Sequence, residues 1–131
     1  TTGRRTATSW SSGSTSEPYY HLMPWLVRGG RVLASLEVAE TSSTRARGLL
    51  GRDGIHGALL LRPARSVHTV GMRFAIDVAH LDDSLRVIRV TRMARHRIGR
   101  PVRGARAVLE ADAGCFERWD LSVGDELEVR S

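Results

Sequence analysis

The chain has 131 residues, 41% of them hydrophobic, and its only cysteine is Cys115. This length is typical of one domain that can bury a core of its own. The longest unbroken apolar runs are far shorter than the roughly 20 residues that a membrane-spanning helix needs. A lone cysteine excludes an internal disulfide and any zinc site built from several cysteines. We therefore expect a single domain without a transmembrane segment or a covalent cross-link.

The positive charge of the chain is concentrated in one segment. All 20 basic residues are Arg, against 14 acidic residues, which gives a net charge of +6. Eight of these Arg lie between residues 86 and 106, a stretch that contains no Asp or Glu. Such an asymmetry favours contact with an anionic partner. A chain that never uses Lys could also carry Arg simply as a solvated cation.

Residues 1–30 are predicted to be a disordered or weakly ordered leader. Ten of the first 16 residues are Ser or Thr, too polar a composition to offset the entropy of ordering them. Arg4-Arg5 is not followed by an apolar segment and therefore does not begin an export signal. Met23 is a plausible native start, in which case residues 1–22 are an added remnant or an upstream extension. The domain itself is expected at residues 31–131.

Short strands and two short helices are predicted within this domain. Apolar alternation bounded by Gly, Pro and turn sequences predicts strands, in chain order, at residues 31–38, 57–62, 66–70, 76–81, 85–90, 107–111 and 126–130. One helix follows the candidate N-caps Thr41 to Thr44 and ends at Gly51, and the second covers residues 115–121. We therefore expect a mainly β fold, a compact antiparallel barrel or sandwich with two short helices.

Three blocks of sequence carry a family resemblance. The first is Leu36–Ala39 followed by RARGLLGR at 45–52, similar to an opening strand and an RxxGLMGR helix. The second is VHTVGMRFAIDV at 67–78, similar to an HTxxMRxPID centre. The third is a VLE, AG and VGD pattern between residues 108 and 125. In these blocks, and in their order, the chain resembles the bacterial and archaeal domain-of-unknown-function 192 family.

The resemblance implies a small β-rich domain that occurs alone, in cytoplasmic and in exported forms, and it implies no established reaction. The chain departs from the family pattern at three positions. Ala75 stands where Pro is usual, Ala64 where members with the His-Thr centre often have Cys, and His80 where Phe is usual. The first two changes loosen the central turn and remove a possible thiol ligand. The third places a polar ring where an apolar one is expected.

The sharpest candidate site lies in the central block. A bend at Gly71 would bring His68, Met72 and Asp77 around one pocket. Imidazole with thioether suits a soft ion such as Cu(I), and imidazole with carboxylate suits zinc, but His68 and Met72 alone are weak metal candidates. The alternative is that these residues have only structural roles, in which case Met72 belongs to the core and His68 is a hydrogen-bonded turn residue. Asp77 then holds a backbone amide or Arg73.

Our first functional hypothesis is a non-catalytic binding or accessory domain with a small polar pocket. The predicted pocket residues are His68, Thr69, Met72, Arg73, Asp77 and Glu110. Glu110 either lines this pocket with His68 or forms an ion pair with an Arg.

The second hypothesis is an enzyme in which His68 is a general base oriented by Asp77. Its nucleophile would be Ser66, Thr69 or Cys115. No GxSxG elbow, HExxH helix or phosphate-binding glycine loop accompanies these residues in the sequence. A single cysteine behaves more often as a small apolar residue than as a nucleophile. The enzyme hypothesis is therefore the weaker one.

The third hypothesis places an anionic partner on the Arg-rich segment, either nucleic acid, an acidic protein or an anionic lipid surface. The candidate contacts are Arg92, Arg95, Arg97, Arg100, Arg103 and Arg106. Phosphate contacts made by Arg would give salt-dependent binding that is independent of sequence. Because no aromatic residue lies between residues 75 and 115 to stack on bases, nucleic acid is disfavoured as the partner. A solvated loop is the simpler interpretation.

The cellular compartment, the oligomeric state and the partners that we expect follow from the same observations. A single reduced thiol and the lack of an export signal favour the cytoplasm. We expect a monomer that uses no cofactor, and a partner that is either a small polar ligand or an acidic protein.

Overall fold

The computed structural model describes residues 24–131, which form seven strands and two short helices. In chain order these are β1 (Trp25–Arg28), β2 (Arg31–Ala39), α1 (Ser42–Arg47), β3 (Ala58–Leu61), β4 (Ile76–Leu81), β5 (Val87–Met93), β6 (Ala107–Asp112), α2 (Cys115–Trp119) and β7 (Glu128–Arg130). No helix in this part of the chain is long and apolar enough to cross a membrane.

The first strand begins at Trp25, before residue 31, where the sequence predicts the start of the domain. β1 lies inside the predicted leader, where Leu26 and Val27 are buried between β2 and β7. Gly29 and Gly30, with φ of 58° and 80°, form the tight turn into β2, a conformation that glycine adopts without strain. The rest of the predicted leader, residues 1–23, lies outside the described residues.

The strand predicted at residues 66–70 is not formed. This segment makes only a single β-bridge, from His68 to Ile98.

The strands form one mixed sheet in the order β5-β4-β6-β3-β2-β1-β7. The mainly β fold with two short helices is confirmed, but its finer description needs correction. β2 and β3 are parallel, because α1 and the residues after it provide the crossover that a parallel pair requires. The sheet is not closed into a barrel, and its two ends meet at one bridge between Arg86 and Glu126.

The central strands β4, β6 and β3 are buried on both faces. A first core cluster, which includes Leu60, Leu109 and Phe116, lies on the side of α2. A second cluster, which includes Leu59 and Met72, lies on the opposite side of the sheet. Successive residues of each strand therefore point to different clusters. Any polar side chain on these strands loses its hydration on either face and needs a partner inside the protein.

Thr69 joins the Arg-rich segment to the central block. Its side chain is fully buried. The hydroxyl donates to the carbonyl oxygen of Ala94 at 2.6 Å and accepts from the backbone N–H of Arg97 at 2.8 Å. The backbone N–H of Thr69 donates to the carbonyl of Arg97 at 2.7 Å, and its carbonyl accepts from the N–H of His96 at 2.9 Å. These four bonds position residues 94–97 over the sheet.

The hydroxyl of Thr69 is expected to contribute measurably to stability. Thr69→Val keeps the shape of the side chain but removes its hydrogen bonds to Ala94 and Arg97. We expect this variant to lower the free energy of unfolding, measured in urea, by about 2 kcal/mol. Thr69→Ser keeps the hydroxyl and is the matched control, which should recover most of the loss. Equal losses in the two variants would mean that the hydroxyl group contributes no more to stability than the methyl group does, and would contradict this account.

Candidate functional site

Glu110 is a carboxyl group in the middle of the sheet. It lies on β6 opposite Leu59 of β3 and Val78 of β4, and its side chain shares their face, towards the second cluster. The residue is 4% exposed. Within residues 24–131 no hydrogen bond or ion pair compensates its burial. Burial therefore raises the pKa of Glu110 from 4.5 to about 7, because the charged form is poorly solvated there.

A small cavity opens beside this carboxyl group, with a volume of about 50 Å³. One wall comes from α1 and the residues after it, including Arg45 and Arg47, and the other includes His68 and Met72. We call this space the Glu110 cavity. It has room for a few water molecules or for a group of a few heavy atoms.

The cavity is richer in donors than in acceptors. The guanidinium of Arg45 donates to the carbonyl oxygen of Glu40 at 2.6 Å, and Arg47 forms no ion pair with a described residue. Nδ1 of His68 accepts from the backbone N–H of Val70 at 3.3 Å. In the neutral ring this bond places the proton on Nε2. His68 therefore offers a donor at Nε2, whereas a metal ion would need a lone pair there.

The second weak metal candidate, Met72, is a buried member of the second core cluster. Among residues 24–131 there is no group of three or more His, Cys, Asp or Glu side chains arranged to hold a metal ion. Met72 thus lines the cavity as an apolar wall next to Glu110 and His68.

Asp77 lies on the other face of the sheet and holds α2 in place. One of its carboxylate oxygens accepts from Nε of Arg92 at 2.9 Å. The other accepts from the backbone N–H groups of Gly114 and Phe116, at 2.9 and 3.1 Å. Gly114 precedes α2 and has no side chain to cap it, so Asp77 satisfies the free N–H groups of the helix from the sheet.

The structure therefore corrects the predicted pocket. The bend at Gly71 does not bring Asp77 to His68, because strand alternation within β4 directs Asp77 towards α2. The predicted catalytic pair of His68 and Asp77 is not formed. Arg73 is exposed and pairs with Asp53 at 3.0 Å. Of the six predicted pocket residues, the Glu110 cavity brings together His68, Met72 and Glu110.

None of the candidate nucleophiles lines the Glu110 cavity. Ser66 is exposed, and the hydroxyl of Thr69 is used in structural hydrogen bonds. Cys115 is buried in the first cluster, and burial raises the pKa of its thiol above the ordinary value. A raised pKa disfavours the thiolate that a nucleophile needs.

The Arg-rich segment is divided among different environments. Arg92 is paired with Asp77 and Glu117, at 2.9 and 3.3 Å. The other five predicted contacts are exposed and form no ion pair with a described residue. Arg97 and Arg100 line a groove between β5 and residues 94–102. Arg95, Arg103 and Arg106 lie outside this groove.

Sequence reasoning missed several residues at these sites. Arg45 and Arg47 were part of a helix pattern, and nothing in their spacing indicated that α1 would pack over Glu110. His80 was noticed only as a polar ring at an apolar position. That departure is the available signal, because β4 contains only one other polar residue, Asp77, and a His among apolar strand residues is expected to be buried.

The comparisons with known proteins agree with this fold. The model of the DUF192 family, described as "Uncharacterized ACR, COG1430", matches residues 26–129, and the chain belongs to this family. A UPF0127 protein of Pyrococcus furiosus is 29% identical over 108 residues, which cover 79% of this chain and 93% of that protein. A UPF0127 protein of Pyrococcus abyssi is 30% identical over 98 residues, covering 71% and 84%. The resemblance carried by the three sequence blocks is thereby confirmed.

Two crystal structures share the fold at low sequence identity. A protein of unknown function from Novosphingobium aromaticivorans superposes with a TM-score of 0.71 and 20% identity, covering 89% of this chain and 99% of that one. A protein from Sinorhizobium meliloti, named a "putative transcription regulator", superposes with a TM-score of 0.70 and 21% identity, covering 82% and 92%. At these identities the likeness concerns the fold alone.

The uncompensated burial of Glu110 predicts a specific dependence of stability on pH. Its folded pKa of about 7 exceeds the value of 4.5 expected when it is exposed. The folded state therefore binds more protons than the unfolded state between these values, and stability falls as the pH rises through this window. The shift corresponds to about 3 kcal/mol.

Urea unfolding as a function of pH measures this effect. Glu110→Gln should remove the decline between pH 4.5 and pH 7. Glu128→Gln, at an exposed position on β7, is the matched control and should retain it. A Glu110→Gln profile parallel to that of the parent protein would refute the assignment.

Proposed function

We propose that the protein is a non-catalytic binding domain for a small polar ligand, and that the Glu110 cavity is its site. The supporting observation is the Glu110 carboxyl group, which is buried, has no partner among residues 24–131 and opens into a cavity. Buried polar groups in folded proteins are nearly always hydrogen-bonded, either to protein groups or to ordered water. A ligand bound in the cavity would supply such partners to the carboxyl group of Glu110 in place of water.

The donors around the cavity favour a ligand that accepts hydrogen bonds. His68 offers Nε2–H, and Arg45 and Arg47 contribute positive charge from α1. With a pKa of about 7, Glu110 is substantially protonated at neutral pH and can itself donate. A small carboxylate fits these groups and the small volume. A small amine would instead require Glu110 to be ionised.

Proton linkage distinguishes these two ligand classes. A carboxylate binds best when Glu110 is protonated, so its affinity should fall as the pH rises through about 7. The affinity of an amine should rise over the same range. Acetate and methylamine are suitable probes in an amide proton–nitrogen NMR titration of the folded domain. We expect acetate to shift residues 45–50 and 67–72, and to do so more strongly below pH 7 than above it.

Substitution of His68 tests whether the cavity is a site. We expect His68→Ala to leave the fold intact, because the residue is exposed, and to weaken acetate binding about tenfold, since one hydrogen bond to a charged group is lost. His56→Ala, at another exposed histidine outside the cavity, is the matched control and should bind as the parent protein does.

Two results would overturn the proposal. One is an unfolded His68→Ala protein, which would make His68 a structural residue. The other is a titration in which neither acetate nor methylamine produces saturable shifts around the Glu110 cavity.

A further inference from the structure

We propose that a second site, the groove between β5 and residues 94–102, binds a small organic oxyanion that carries an apolar body. The groove has a volume of about 430 Å³, within the range of small-molecule sites. We call it the His80 groove. It is separate from the Glu110 cavity, and the inference does not depend on the function proposed for that cavity.

A buried imidazole without partners forms part of this groove. His80 is 5% exposed and lies on β4 between Arg89 of β5 and Val108 of β6. Neither of its ring nitrogens has a hydrogen-bond partner in the described part of the chain. Burial and the charge of Arg89 lower the pKa of His80, which keeps the ring neutral. A neutral imidazole has one N–H to donate, and because both ring nitrogens are buried, a small rotation of the ring would have to bring that N–H to a ligand in the groove.

Uncompensated positive charge surrounds the same groove. Arg89, Arg97 and Arg100 line it, and none of them forms an ion pair with a carboxylate in residues 24–131. Among the described residues, the guanidinium of Arg97 contacts only the backbone carbonyl oxygens of Arg95 and His96, at 3.4 and 3.5 Å.

Two other Arg, one just before β5 and one within it, differ from these three because their charges are compensated by acidic side chains. Arg86 is paired with Glu126, and Arg92 with Asp77. Arg92 also lines the groove, but Asp77 and Glu117 compensate its charge, whereas Arg89, Arg97 and Arg100 have no acidic partner among the described residues. Three like charges around one concave surface attract an anion, and guanidinium groups bind carboxylate and phosphate oxygens particularly well.

Apart from Thr91 and Arg92, the remaining lining of the groove is apolar. Met93, Ile98 and Val102 contribute to it. Ile98 is 81% exposed, the most exposed large apolar side chain in the described chain. An inorganic anion would leave this apolar surface in water, whereas an anion with a short aliphatic or aromatic body would cover it. This combination defines the proposed class of ligand.

The groove is held in shape before any ligand binds. The backbone N–H of Gly99 donates to the carbonyl of Val67 at 2.9 Å. A Cβ atom at Gly99 would lie 2.7 Å from that same oxygen, so the segment packs as closely as glycine allows. The other end of the segment is held by the hydrogen bonds of the Thr69 hydroxyl to the backbone of Ala94 and Arg97. A preformed site loses less entropy on binding than one that must first order itself.

Titration calorimetry with amide NMR tests the proposal directly. The probes are phenyl phosphate, benzoate, inorganic phosphate and benzyl alcohol, which separate the charged head from the apolar body. We expect saturable binding of phenyl phosphate or benzoate with shifts at His80 and residues 97–100. Inorganic phosphate should bind about tenfold more weakly, and benzyl alcohol should not bind measurably.

Matched variants distinguish a site from a generally basic surface. Arg89→Gln removes one charge from the groove and should weaken the aryl anion about tenfold. Arg103→Gln removes the same charge from an exposed position of the same segment that does not line the groove, and should leave the affinity unchanged. His80→Phe should fold at least as stably as the parent protein, since two unsatisfied nitrogens disappear, and should bind the aryl anion more weakly.

Several results would overturn the inference. Equal losses in Arg89→Gln and Arg103→Gln would indicate salt-dependent attraction to the whole segment. Unchanged binding by His80→Phe would exclude the imidazole from the site. A lack of saturable binding at about 10 mM aryl anion would exclude a site of useful affinity. Shifts confined to residues 45–50 and 67–72 would place the ligand in the Glu110 cavity, which would support the proposed function and contradict this inference.

Discussion

Burial of the central strands on both faces is the constraint on which the rest of this structure depends. Because β4, β6 and β3 have apolar clusters above and below them, the polar side chains within them are removed from water, except that of Asp112 at the end of β6, which is partly exposed. Asp77, His80 and Glu110 are all in this position, each less than 6% exposed. The cost of desolvation is similar in kind for the three residues. The three residues differ in the hydrogen bonds and ion pairs that compensate this cost, and their different roles follow from that difference.

Asp77 is fully compensated, whereas Glu110 and His80 have no hydrogen-bond partner in the part of the chain that the structure describes. Asp77 accepts hydrogen bonds from Arg92 and from two backbone N–H groups at the start of α2. Glu110 and His80 lie on the opposite face, and each opens into a cavity lined by Arg. The α2 face of the sheet is therefore built for stability. The other face carries the two buried groups that form no hydrogen bond with a described residue, and the two proposed ligand sites are built on them.

The sequence predicts the sheet better than it predicts the sites. Apolar alternation located β2, β4 and β6 to within a few residues, since burial of strand faces is a local pattern. β4 begins at Ile76, as predicted, but whether Asp77 meets His68 depends on the path of the chain through the bend at Gly71, which a local pattern does not determine. The His80 groove depends on the return path of residues 94–102, which Thr69 and Gly99 determine through contacts distant in sequence. The turn at Gly29-Gly30 did carry a local hairpin signal that would have revealed β1.

The most direct test of this account is a carbon-detected NMR titration of the Glu110 carboxyl group, assigned by its disappearance in Glu110→Gln. The account predicts a resonance that titrates near pH 7 and at a higher pH when acetate is present, because a bound carboxylate favours the protonated form. A resonance that titrates near 4.5, and is indifferent to acetate, would mean that the carboxyl group is solvated and the cavity is not a ligand site.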